Sequence, residues 1–333
     1  MSKNGLPRKP LTKRRLKNLI LNVLKNPFNM VVLVSLIILF CLIIIPLLTM
    51  ISSTFTLAQG ELRRVQGHVG DFTLYYWKYI LTGKLASAVL WGPLKNSFIC
   101  GFFTVLVSVP LGSVLAWLMI RTDLPGKKIL GLLVTVPYMI PSWTKALAWL
   151  AMFRNSTSGA NGFLAGLGIP VPDWLAYGPI AIVLCMSMHY YAFSYIMVSG
   201  ALRSINSELE EMGEIQGASK AQILRHITLP LILPSVLSAT VMTISKSIGT
   251  YGVPANLGNR IGYYTLATKM RTFIDQGPQA VGYAMSIVLV LLAALIIFSN
   301  QRIVGVRKSY ATVSGKGGKQ RIVPFYKRLR TLL

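Results

Sequence analysis

Six times between Phe28 and Asn300 the chain runs for about 20 residues with at most one charged side chain. The runs are Phe28–Ser52, Ser97–Ile120, Ile129–Phe153, Pro179–Ser199, Leu231–Tyr251 and Ala280–Asn300. A helix of that length crosses the hydrocarbon core of a bilayer, which is about 30 Å thick. Only 13% of the chain is charged, against roughly a quarter in a soluble domain of this size. Much of the surface therefore faces something other than water. The expected fold is an all-α membrane protein with six transmembrane helices, in one membrane domain over residues 28–300.

Charge gives those helices a direction. The formal net charge is +25, from 34 Lys+Arg against 9 Asp+Glu. Half of the bases sit in two end segments that contain no acid: residues 1–27, with Lys3, Arg8, Lys9, Lys13, Arg14, Arg15, Lys17 and Lys25, and residues 301–333. Cytoplasmic segments of membrane proteins collect Lys and Arg in this way, so both termini are expected in the cytoplasm, and an even number of spans agrees. The turn Arg121–Lys128 carries three bases and one acid and falls on the same side. Segments 53–96 and 154–178 fall outside, with Trp91, Trp143, Trp149 and Trp174 near expected interfaces. The first run is too long for a signal-peptide core, and no small-residue cleavage pattern follows it. Leu16, Leu19, Ile20, Val23 and Leu24 give the basic N-terminal segment an apolar face suited to lying on the inner membrane surface. A nucleic-acid role would need stacking aromatics among the bases, and the tails have almost none. Cys41, Cys100 and Cys185 all lie inside apolar runs and read as small core residues.

The loop between the fourth and fifth runs breaks the charge rule. From Ala201 to Leu229 it holds Glu208, Glu210, Glu211 and Glu214 against Arg203, Lys220 and Arg225. Its sequence, ELEEMGEIQGASKAQILRHITLPLILP, reads as helix, glycine turn, helix. Ser207 with Glu210, and Ser219 with Gln222, have capping-box spacing, and Gly217 stands between them where a reversal calls for positive φ. Pro230 is expected to end the second helix and open the next span.

This loop resembles the EAA loop of type I ABC importer permeases. Glu211, Gly217, Ile227, Leu229 and Pro230 match that pattern position by position, while its two alanines are replaced by Met212 and Gly213. That departure leaves open how tightly the helices pack. The resemblance implies the type I permease fold and a loop, including Glu210, Glu214, Ala218 and Ser219, that seats in a groove on an ABC ATPase, with Glu211 and Gly217 facing it. It further implies an ATPase dimer that holds ATP and Mg, a second permease half, and a periplasmic or lipid-anchored solute-binding protein. The location implied is the bacterial inner membrane. Asn96–Lys128 resembles the second-span region of the same family, and Pro137–Trp149 and Gly249–Gly258 resemble the subgroup that carries ferric iron, polyamines and phosphonates. The stretch YATVSGKGGKQRIVPFYKRLRTLL resembles the linker of fused twelve-span permeases, so the second half is expected either as a separate chain or fused downstream.

Ionisable groups inside membrane segments are functional candidates by default. Lys145 in the third run either snorkels to the headgroups or serves the path. Lys246 in the fifth run, near Tyr251, either lines the path or pairs with a structural partner. His189 and Tyr190, followed by Tyr191, interrupt the fourth run and either hydrogen-bond a neighbouring helix or line the path. GKGGK near Lys316 lacks the spacing of a phosphate-binding loop, so the chain is expected to hold no cofactor and to hydrolyse no ATP. Two rivals stand beside the importer: a secondary transporter, disfavoured because the acids lie in loops or at their edges, and a membrane scaffold, which leaves the loop unexplained.

Overall fold

The long apolar runs fold as helices. A computed structural model describes residues 27–62, 65–156 and 159–305; the expected surface helix before residue 27, and the segment from 306 onward, lie outside the described residues. The main helices are α1 (Pro27–Ser53), α2 (Tyr75–Leu81), α3 (Gly92–Arg121), α4 (Lys127–Met139), α5 (Ser142–Phe153) and α6 (Pro179–Ser204). They are followed by α7 (Ser207–Ile215), α8 (Lys220–Ile223), α9 (Leu229–Gly249), α10 (Gly252–Leu257), α11 (Leu266–Gln276) and α12 (Gln279–Gly305). No strand is present among the described residues beyond an isolated Thr56–Phe72 bridge. The chain divides into two compact units after Thr73.

In the first unit α1 is apolar on every side and has no buried residue, the pattern of a helix that faces lipid. Cys41 is exposed on it, contrary to the core position expected for all three cysteines. The segment after α1 folds back on itself: the Leu57 amide donates to the Asp71 carbonyl at 2.9 Å and the Thr73 amide to the Phe55 carbonyl at 2.8 Å.

The second unit is organised by α3, α6 and α9, which pack on one another. Lipid gives helices no hydrophobic reason to associate, so close packing must come from small side chains. On α3 these recur at helical spacing and are buried: Ser97, Gly101, Thr104, Ser108, Gly112 and Ala116. At Gly112 the helices nearly touch, since a Cβ there would stand 2.4 Å from the Tyr191 carbonyl oxygen and 2.7 Å from the Tyr195 amide nitrogen. Cys100 and Cys185 are buried in an adjoining cluster with Trp149 and Ile182. Beyond α9, α12 packs against α9, α11 and α2.

Among the described residues, five stretches are long and apolar enough to cross a membrane: Pro27–Ser53, Ser87–Arg121, Asp173–Ser204, Lys220–Gly249 and Gln279–Arg302. The third expected span is different. It consists of two half-length helices, α4 and α5, separated at Ile140 and Pro141. Pro141 cannot donate to the Pro137 carbonyl one turn back, and its ring drives Ile140 out of the helical region, to φ −77°, ψ 132°. Pro230 behaves in the opposite way. Instead of a break there is one widened π-helical turn, Leu224–Thr228, in which the Leu229 amide reaches the Leu224 carbonyl. The same device precedes Pro93, where the Gly92 amide bonds the Ser87 carbonyl. Widening the turn makes room for the pyrrolidine ring without interrupting the helix.

Candidate functional site

Two groups of residues carry chemistry. The first is the loop of α7, its turn and α8. Asn206 caps α7, its side-chain oxygen accepting from the Glu208 amide at 3.3 Å. The cap thus falls one residue before the expected Ser207, and the Ser207–Glu210 box is replaced. Glu210 turns inward instead and is 4% exposed. Its Oε1 lies 3.3 Å from an Arg121 terminal nitrogen and accepts from the Thr228 hydroxyl at 2.7 Å. Arg121, expected at the membrane surface as a topological charge, is 1% exposed. The end of α3, the inner face of α7 and the widened turn before α9 therefore meet at one buried ion pair, beside a cavity of about 250 Å³ that Trp117 and Ile223 help to line.

The turn itself follows the sequence closely. Gly217 has φ +85°, its amide donates to Glu214 at 2.9 Å and the Ala218 amide to Gly213 at 3.0 Å, which satisfies carbonyls at the end of α7. The Ser219–Gln222 capping box is formed: the Ser219 amide donates to Gln222 Oε1 at 2.7 Å and the Gln222 amide to Ser219 Oγ at 3.3 Å. At Gly213 a Cβ would come within 3.0 Å of Ile227 Cδ1, so the departure from alanine accompanies close packing. Glu211, Glu214, Gly217 and Ser219 are exposed, as are Leu229 and Pro230, while Ala218 and Ile227 are half-buried. Met212 and Ile215 present apolar surface, Ile215 at 85% exposure.

The second group gathers at the break between α4 and α5. The Pro137 carbonyl is deprived of the Pro141 N–H, and the Ile140 carbonyl accepts from Lys145 Nζ at 2.8 Å. Lys145 Nζ also lies 2.5 Å from His189 Nδ1. An ammonium can only donate, so Nδ1 is the acceptor and the ring proton sits on Nε2. Lys145 thus caps a broken helix. The Tyr138 ring stacks on His189 with centroids 5.2 Å apart and tilts toward Phe193 at 5.7 Å. From α9, Lys246 places Nζ 3.5 Å from the Tyr138 hydroxyl and 5.3 Å from the Phe193 centroid. The Thr250 hydroxyl donates to the Lys246 carbonyl at 2.8 Å and so receives the Tyr190 hydroxyl, 2.7 Å away. Four of the five expected path residues, Lys145, His189, Tyr190 and Lys246, therefore join one network. Tyr251 is outside it, exposed before α10.

Sequence reasoning missed Arg121, Thr228, Tyr138, Phe193 and Thr250. A clue was present for some of them: His189 and Phe193, and Lys246 and Thr250, are four apart and share a helix face. Residues 121 and 210 are joined only by the fold.

Residues 108–309 match the family described as "Binding-protein-dependent transport system inner membrane component". The sulfate transport system permease protein CysT of Salmonella typhimurium is 25% identical over 227 residues, which cover 67% of this chain and 78% of that protein. The putative 2-aminoethylphosphonate transport system permease protein PhnV of the same organism is 28% identical over 232 residues, 70% of this chain and 80% of that one. With the probable sulfate transport system permease protein cysT of Marchantia polymorpha the identity is 27% over 180 residues, and the match spans 59% of that relative's length and 53% of this chain. Among solved structures, a bacterial ABC transporter involved in the import of the acidic polysaccharide alginate superposes with a TM-score of 0.64 at 18% identity, covering 87% of this chain and 99% of that one. The MetNI methionine ABC transporter gives 0.50 at 23% identity, over 67% of this chain and 95% of that one. At these identities the likeness is one of fold.

Proposed function

The chain belongs to the family of binding-protein-dependent transport system inner membrane components, and from that membership we propose that it is the permease subunit of an ATP-driven importer in a bacterial inner membrane. Six membrane segments cross with both termini in the cytoplasm, the third as the broken pair α4 and α5. The exposed edge of α7, with Glu211, Met212, Ile215 and Gly217, docks on an ABC ATPase, whose dimer holds ATP and Mg. A second permease half, separate or fused, completes the path, and a periplasmic or lipid-anchored binding protein delivers the solute. Among the solutes expected from sequence, the kinship with sulfate and 2-aminoethylphosphonate permeases favours the phosphonate over ferric iron or a polyamine.

The observation that carries the reading is the buried Arg121–Glu210 pair with Thr228. It ties an exposed helical loop to two membrane helices at once, so a push on the loop must move both. A connecting loop without a partner has no use for such a brace. The test is uptake by proteoliposomes, with and without the partner ATPase. Gly217→Asp should leave insertion intact, weaken ATPase binding and reduce uptake to background; normal uptake by a stably expressed Gly217→Asp protein would sink the proposal.

A further inference from the structure

We propose that Lys145 and Lys246, on either side of the Tyr138–His189 stack where the third membrane segment breaks, form a binding subsite for a small tetrahedral oxyanion inside the permease. The inference rests on the importer reading and names the chemistry that the path recognises.

Charge is the first ground. Two ammonium groups serve one cluster within apolar segments, and His189 lies in the field of both. No carboxylate stands within ion-pair distance of either among the described residues, where the ion pairs engage other groups. Lys145 is half-buried and Lys246 exposed, and a cation within a membrane segment without a counter-charge is costly. A mobile anion relieves that cost on arrival, and a polyamine or a bare metal cation aggravates it.

Donor geometry is the second ground. Lys145 spends one N–H on the Ile140 carbonyl and one on His189 Nδ1, and an ammonium has three. Lys246 is exposed and directs one N–H toward the Tyr138 hydroxyl, which keeps its own proton to donate. The cluster thus offers an incoming group N–H and O–H donors, the requirement of a sulfate-, phosphate- or phosphonate-like head. His189 is a positioning residue: bonded to Lys145 and stacked on Tyr138, it holds the ammonium at the helix break and props the Tyr138 ring. Phe193 and Tyr138 set aromatic rings beside Lys246.

The experiment uses the complete importer in proteoliposomes, loaded inside with ATP and supplied with its binding protein. Radiolabelled sulfate, phosphate, 2-aminoethylphosphonate and spermidine are compared. We expect uptake of an oxyanion and not of spermidine, the labelled species identifying which one. Lys246→Met and Lys145→Met should each lower that uptake at least tenfold, with Lys246→Arg recovering most of it, a rescue that a purely structural role for Lys246 would not need charge to achieve. Cryo-EM of the complex with tungstate, an electron-dense tetrahedral dianion, should place density within hydrogen-bond reach of Lys246 Nζ, absent in Lys246→Met. Should Lys145→Met fail to assemble because the Ile140 carbonyl loses its donor, the Lys246 variants and the tungstate density decide. Unchanged oxyanion uptake in Lys246→Met, tungstate bound only elsewhere, or spermidine uptake without oxyanion uptake each overturns the subsite while the importer reading stands. Failure of the importer reading shows separately, as a wild-type chain that assembles with no ATPase.

Discussion

Glu210 shows how much one carboxylate can decide. Buried with Arg121 and Thr228, it leaves a charge stranded if either ionic partner is removed alone. Breaking such a pair costs about 3–5 kcal/mol, whereas replacing both members with apolar residues of similar size is often neutral. Arg121→Met and Glu210→Leu should each lower the thermal stability of the detergent-solubilised protein sharply, and the double variant should regain most of the loss. Additive losses would show that the two do not act as a pair. Two glycines separate along the same lines. Gly217 has a left-handed backbone but open space around it, so Gly217→Ala should cost only the αL strain of about 1–2 kcal/mol. At Gly112 the obstacle is the backbone of the neighbouring helix, which cannot yield as a side chain would. Gly112→Ala should therefore abolish folded, monodisperse protein on size-exclusion chromatography, while Gly217→Ala elutes as wild type.

At the scale of elements, the third membrane segment is the informative one. Pro141→Ala would restore an N–H for the Pro137 carbonyl, and α4 and α5 should join into one helix. A cysteine placed at Ile140, an exposed residue in the break, should then react more slowly with a thiol reagent than in the Pro141 background, and uptake should fall with it. Equal reactivity in the two backgrounds would mean that the break survives without the proline. The elements written in local sequence were legible: apolar runs gave the helices, and Ser219, Gln222 and Gly217 gave the turn. Less legible was anything settled by a partner distant in sequence. Pro137 and Pro141 could be read only as kinks, because the donor that caps the break comes from Lys145, which His189 holds in place. The Ser207–Glu210 pattern fitted a cap, yet Arg121 offered Glu210 a stronger partner and the cap moved to Asn206. Lys145 and Lys246 were visible as isolated charges, but nothing in the sequence brought them to the same tyrosine.

For the molecule as a whole, the proposed topology predicts the outcome of a cysteine-accessibility scan in intact cells: positions between Gly159 and Trp174 should label from outside, and positions between Glu214 and Arg225 only from within. External labelling of the second set would overturn the six-segment arrangement. The widened turn at Leu224–Thr228 has a consequence at this same scale. Because it absorbs Pro230 without a break, Lys220–Gly249 is one helical stretch, and its 1.5 Å rise per residue sets Lys220 and Lys246 about 39 Å apart. Spin labels at Gln222 and Met242 should accordingly keep their separation in every nucleotide state, even as each moves relative to α3. On the proposed function the stretch would act as an axle, with the turn proposed to face the ATPase at one end and the lysine proposed to hold solute at the other. A small twist applied at the loop end would then arrive at the lysine end as rotation and travel together, so the moment of release would be geared to the moment of the stroke by the stiffness of a single rod.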